Sequence, residues 1–128
     1  MIPLDGHGTP DWALYLDEEW RERPHSWPSS YVEWEDFGLP TDEVDAFEAC
    51  VEAHRRAQAG ELVEVGCAGG TGRTGTSLAM IAMLSGVAES DAVAWVRHNY
   101  HRWAVEGPEQ EAMLARLGHW LRSGMATC

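Results

Sequence analysis

The plainest alternation along the chain of 128 residues lies in its second half, where β-branched runs give way to helical periods. Leu62 to Val65 is a short apolar run ending in glycine-rich sequence, and it predicts a buried strand followed by a tight turn at Gly66 to Gly72. From about Arg73 to Ser85 the chain is apolar nearly all round, the signature of a helix buried on several sides. Gly86 stops it. Upstream, Val44, Phe47, Val51 and His54 recur at helical spacing between Thr41, a candidate N-cap, and Gly60, a candidate stop near Ala59. Downstream, Ser90 is expected to cap a helix over 91–103 with Val93, Val96, Tyr100 and Trp103 inward. Gly107–Pro108 then opens a last helix carrying Gln110, Leu114, Leu117 and Leu121, with Gly124 as its end. Before residue 40 the pattern is weaker. DWALYL (11–16) and SYVEW (30–34) read as short strands, with Pro24, Pro28 and Ser29–Ser30 marking loop between them. Trp12, Trp20, Trp27 and Trp34 recur near heptad spacing, but the prolines forbid a continuous helix, so they read as core or rim packing.

Strands early, then a strand and three helices, predict an α/β domain over residues 1–128. Its small, partly parallel central sheet would carry helices on both faces, with Leu62–Val65 as the central strand. Sites in such sheets lie beyond the strand C-termini, which is where Cys67 falls.

Composition narrows the function. The formal net charge is −12 and all nine basic residues are arginine. Nucleic acid and anionic membrane both need a broad cationic surface, so neither is an expected partner. The longest purely apolar run is Leu78 to Leu84, far short of the ~20 residues of a membrane span. The N-terminus lacks the charged and apolar regions of a signal peptide, so a cytoplasmic location is the expectation. Cys50, Cys67 and Cys128 form neither a disulfide framework nor a metal or redox pair. Cys50 reads as a buried structural thiol and Cys128 as exposed. His98 and His101 share a helix face without a third ligand and read as solvated surface. No metal and no cofactor are expected.

Strand, glycine-rich turn and helix together aim backbone N–H groups and a helix N-terminus at one point, where an anion binds. Cys67 lies at the base of that turn and Arg73 follows after five residues. An unperturbed thiol is only a few per cent ionised at pH 7, with a pKa of about 8.5, and amide dipoles with a guanidinium favour the thiolate. The same cradle fits a tetrahedral oxyanion, and the arrangement reads as phosphoryl transfer through cysteine. Two other loop patterns compete. Gly70-Thr71-Gly72-Arg73-Thr74-Gly75 satisfies GxGxxG, but it starts beyond the strand end and no acidic residue closes a second strand. CAGGTGRT approximates a Walker loop, with cysteine and arginine spoiling both diagnostic positions.

Cys67-Ala68-Gly69-Gly70-Thr71-Gly72-Arg73-Thr74 resembles the Cys-x5-Arg-[Ser/Thr] loop of the protein tyrosine and dual-specificity phosphatase superfamily. Trp34-Glu35-Asp36-Phe37-Gly38-Leu39-Pro40 is similar to that family's Trp-Pro-Asp loop, and residues 92–114 to its closing helices. The three signals stand in the family's order over roughly residues 30 to 115. The resemblance implies a phosphotyrosine phosphatase-like fold and hydrolysis of a phosphorylated protein or small phosphomonoester through a cysteinyl-phosphate. It implies Cys67 as nucleophile and Arg73 as phosphate fork. The amides of Ala68, Gly69, Gly70, Thr71, Gly72 and Arg73 would form the cradle. Thr74 would donate to the sulfur, Asp36 act as general acid then base, and Gln110 orient water. The loop carries no lysine or histidine, which disfavours inositol phosphates and polyphosphate ends. Two positions depart from the pattern. Gly66 stands where the family has histidine, and Glu35 where it has proline. The first motivates a second expectation, a phosphate-binding module without turnover.

Overall fold

The computed structural model describes residues 9–23, 25–35, 38–67 and 71–123. In chain order these form β1 (Trp12–Tyr15), α1 (Glu18–Glu22), β2 (Ser29–Tyr31), α2 (Glu43–Gln58) and β3 (Val63–Gly66). Then follow α3 (Gly72–Leu84), α4 (Glu89–Asn99) and α5 (Pro108–Arg122). The class expected from sequence, α/β with a small central sheet, is the one observed.

The sheet has three strands in the order β2-β1-β3, and both pairings are parallel. This corrects the expected centre: β1, not Leu62–Val65, lies in the middle. The side chains give the reason. All four β1 residues are buried, as suits a parallel strand covered on both faces. β3 carries Glu64, half-buried, whose carboxylate accepts the Tyr15 hydroxyl at 2.7 Å. A charged residue belongs on an edge strand. The second expected strand, 30–34, shortens to β2, while Trp34 instead makes an isolated antiparallel bridge with Pro40. The short helix α1 forms within what reads as loop in the sequence.

Register sets up the site. Tyr15 pairs with Gly66 and with Tyr31. The Leu16 N–H donates to the Gly66 carbonyl at 2.9 Å, and Val32 N–H to the Tyr15 carbonyl at 3.0 Å. Residues 16–17, 32–34 and 66–67 therefore leave the sheet side by side at its C-terminal end.

Helix α2 is capped by Asp42, not Thr41: its side chain accepts the Asp45 N–H at 3.1 Å. The Thr41 N–H is used elsewhere, on the Glu33 carbonyl at 3.0 Å. The buried face is also rotated from the expected one. Ala46, Phe47, Cys50 and Ala53 point inward while Val44 is 42% exposed. Three small residues on that face let α2 approach the sheet and α3 closely. Gly60 ends the segment at φ +94°, a conformation that costs glycine nothing.

Helix α3 is buried from Gly72 through Ala82 and packs on α2, α4, α5 and β3, as its all-round apolarity predicts. Helix α4 begins after Ala88 rather than Ser90 and ends at Asn99, four residues short of the expected end. Of the predicted stripe Val96 is buried and Val93 half-buried. Tyr100 is 36% and Trp103 63% exposed, because the chain leaves the helix to turn back over α3. Pro108 opens α5 as expected, and Met113, Leu114, Leu117 and Trp120 enter the core, the last with its ring 5.4 Å from that of Phe47. Gly124 and Cys128 lie outside the described residues. Among the described residues no helix is long and apolar enough to cross a membrane.

Candidate active site

Cys67 follows directly on β3 and is 2% exposed, at the C-terminal edge of the sheet where the sequence puts it. Seven residues on, in the first turn of α3, the Thr74 hydroxyl donates to its sulfur across 2.9 Å in a buried contact. The expected cradle residues Ala68, Gly69 and Gly70 lie outside the described residues, as does Asp36. Thr71 and Gly72 are described and open α3. This helix start has no side-chain cap hydrogen bond and no acidic residue of its own in its first turn. The dipole at such a start favours negative charge.

Arg73 is 5% exposed, deeply placed for a guanidinium. Its Nη1 donates to the Trp34 carbonyl at 3.0 Å, and its Nη2 lies 3.6 Å from the carboxylate of Asp17. The fork thus spans two of the three chain segments that leave the sheet together. Asp17 is a site residue that sequence reasoning missed. The available signal was a carboxylate directly after a fully apolar strand, at the end of a parallel sheet where ligands bind.

Around Trp34 the chain makes a compact turn. Trp34 bridges Pro40, the Gly38 N–H donates to the Glu35 carbonyl at 3.0 Å, and the Trp34 indole donates to the Gly38 carbonyl at 2.9 Å. Gln110 reaches the same carbonyl from α5 at 3.1 Å, which brings it to this side of the molecule. The structure therefore assembles Cys67, Thr74, Arg73 and the 34–40 turn at one end of the sheet, with Gln110 against the turn.

The segment between α4 and α5 closes the back of the site. Gly75 takes Ala104 so closely that a Cβ there would come within 2.5 Å of the alanine methyl. The Glu106 carboxylate lies against Gly72, where a side chain would have to displace it. Tyr100 is raised above its ordinary pKa, first by burial and then by the negative charge of ionised Cys67. That coupling places the phenol within electrostatic reach of the sulfur, where the inward stripe had assigned it to the core. Cys50 is different: burial pushes its thiol up to about 12.

The family model described as protein-tyrosine phosphatase matches residues 13–103, from β1 to just past α4. The chain belongs to the protein-tyrosine phosphatase family. Its matched span holds Cys67, Arg73, Thr74 and the 34–40 turn, while Gln110 lies beyond it. This phosphatase-family chain is 40% identical over 106 residues to MJECL20, an uncharacterized protein of Methanocaldococcus jannaschii, covering 77% of the chain and 69% of that relative. It is 38% identical over 106 residues to MJ0215, an uncharacterized protein of the same organism, with 77% of the chain and 64% of the relative covered. The chain thus spans less than two thirds of the second. Among solved structures it is similar to Tk-PTP in its active form, with a TM-score of 0.72 and 27% identity over 87% of this chain and 80% of that one. A glycine-to-alanine mutant form of Tk-PTP gives a TM-score of 0.74 at 27% identity, over 92% and 81%. The family and the neighbours make this a phosphatase in the general sense.

Proposed function

We propose that the chain hydrolyses phosphomonoesters through a cysteinyl-phosphate, as a protein tyrosine or dual-specificity phosphatase. The observation that carries this reading is the 2.9 Å contact from the Thr74 hydroxyl to the Cys67 sulfur, with the Arg73 fork on the same first turn. A sulfur bonded by a hydroxyl at an open helix N-terminus is arranged as an anion beside an anion site.

In the first step the Cys67 thiolate attacks phosphorus in line as the ester P–O bond breaks. Asp36 gives its proton to the leaving oxygen. The amides from Ala68 to Arg73 and the Arg73 fork hold the equatorial oxygens, where a planar fork matches phosphate better than an ammonium. In the second step Asp36 takes a proton from water, which attacks phosphorus while the P–S bond breaks. The thiolate leaves with the Thr74 hydroxyl bonded to it, and phosphate is released. Gln110 orients the water. Trp34 and Pro40 frame the turn that carries Asp36. The substrate is a phosphotyrosine protein, with phosphoserine, phosphothreonine and small phosphomonoesters as further members of the class. The cytoplasm is the expected setting.

Turnover of p-nitrophenyl phosphate in the presence of a chelator tests the reading. Activity lost in Cys67→Ser, with the pH profile altered in Asp36→Asn, is the expected result. Arg73→Lys should lower kcat roughly 10²- to 10³-fold, as removal of one preorganised donor does elsewhere. Gly66, in place of the family's histidine, favours a second reading, a phosphoprotein-binding module. Vanadate affinity without any turnover in the native chain would establish that reading instead.

A further inference from the structure

Gln110 is 1% exposed although it stands in the first turn of α5, where polar side chains ordinarily meet water. Its carboxamide is used on both ends. The oxygen accepts the Glu106 N–H at 2.8 Å and the Thr76 hydroxyl at 3.0 Å. A backbone N–H can only donate, so this end is oxygen and the nitrogen faces the other way. There Nε2 donates to the Gly38 carbonyl at 3.1 Å, beside the Trp34 indole on the same acceptor. Thr76 belongs to α3, and its single hydroxyl proton is shared between Gln110 and the Gly72 carbonyl, the latter at 2.7 Å. One side chain thus ties the phosphate helix to the turn that follows Trp34.

The acceptor side of this tie is built in advance. Arg97 forks onto two consecutive carbonyls, Ala104 at 2.8 Å and Val105 at 2.9 Å. Val105 between them has φ +65°, a left-handed conformation that a β-branched residue adopts only under constraint. That turn presents the next N–H, of Glu106, to Gln110.

We infer that Gln110 is a positioning residue for the 34–40 turn, so that departure of the leaving group, and not only attack by water, depends on its carboxamide. This rests on the proposed phosphatase reading, with Asp36 as the acid. The two roles separate kinetically. kcat/KM reports steps through cleavage of the ester bond, whereas water attacks afterwards. A group that only orients water leaves kcat/KM unchanged. One that holds the turn lowers it most for substrates whose leaving oxygen needs a proton.

The test compares phenyl phosphate with 2,4-dinitrophenyl phosphate in the native chain, Gln110→Glu and Gln110→Met. The glutamate still accepts from Glu106 and Thr76 but, ionised, has no proton for Gly38. Expected is a fall in kcat/KM of at least about tenfold on phenyl phosphate and under about threefold on the dinitrophenyl ester. The loss should shrink at acid pH, where the protonated carboxyl donates to Gly38 again. Gln110→Met, uncharged and of similar length, should show the same leaving-group dependence without the acid rescue. An unchanged kcat/KM, or equal losses on both substrates, overturns the inference while Cys67-dependent turnover leaves the phosphatase reading standing. Should the native chain not turn over, the phosphatase reading fails by itself and hydrogen exchange across residues 34–41 decides the tie. Faster exchange at Gly38 and Thr41 in Gln110→Glu supports it, and unchanged exchange overturns it.

Discussion

The N-termini of α2 and α3 are dressed in opposite ways. At α2, Asp42 caps the helix and Glu43 and Asp45 add negative charge to its first turn. At α3 no side chain caps Thr71, the first turn has no acid, and Arg73 occupies it instead. Both ends carry unsatisfied N–H groups and a positive dipole. The first is closed for stability with the chain's own carboxylates. In the proposed reading the second receives an anion from outside, and its helix is held by burial rather than by capping. A site of this kind is recognised as much by the omission of a cap as by the residues it contains.

The contrast can be broken directly. Thr71→Asp would set a carboxylate at the α3 terminus, on a backbone (φ −109°, ψ −72°) without the extended geometry of the Asp42 cap; vanadate affinity and turnover should fall more than about tenfold, through charge repulsion in the cradle. Unchanged vanadate affinity would show that the α3 terminus does not bind the anion. Next in size is Gly75→Ala, whose new methyl meets the Ala104 Cβ at 2.5 Å and its Cα at 2.9 Å. Overpacking against backbone should cost about 1–3 kcal/mol, read as a lower thermal midpoint.

Alkali probes the face α2 turns toward α3. The Cys50 thiol is raised from 9.0 to about 12, so the folded state holds a proton that the unfolded chain releases. Its contribution is complete below pH 9 and is lost as pH climbs toward 12, at up to about 1.4 kcal/mol per pH unit. Denaturant melts should show that decline, and Cys50→Ala should flatten it between pH 9 and 10. Above that Tyr15, raised by burial and by Glu64, adds its own slope. The smallest effect is expected from Asp42→Ala. Loss of the α2 cap should lower stability by about 1 kcal/mol and leave kcat untouched, which separates the structural terminus from the chemical one.

What was legible in the sequence was local. The Leu62–Val65 run and the apolar helix after Arg73 stand close to where their patterns put them, because burial on all sides leaves no ambiguity of face. Gly60 and Pro108 mark boundaries for steric reasons that act within a residue or two. Strand order was not legible, since it depends on pairing between residues 12–15 and 63–66, far apart in sequence. Nor was Asp17, whose meaning comes from Arg73 across the sheet end. The helix over 91–103 overran because its periodicity continues into a segment that packs on Gly72 and Gly75 as an irregular turn. The left-handed Val105 and the Arg97 fork leave no mark in the sequence, since valine rarely adopts that conformation. Of the neighbours Thr41 and Asp42, aspartate is the better cap by type, and Asp42 holds the extended conformation from which its carboxylate reaches the Asp45 N–H.

The parallel pairing of β1 with β3 also orders events during synthesis. A ribosome delivers the central strand first and its second neighbour some fifty residues later, as the 49-residue separation of Tyr15 and Glu64 shows. Until then a fully apolar strand has one edge without a partner, and Arg73 has not yet been made to meet Asp17. Nascent chains halted before residue 63 should therefore depend on chaperones, and the meeting of Arg73 with Asp17 is among the last contacts to form.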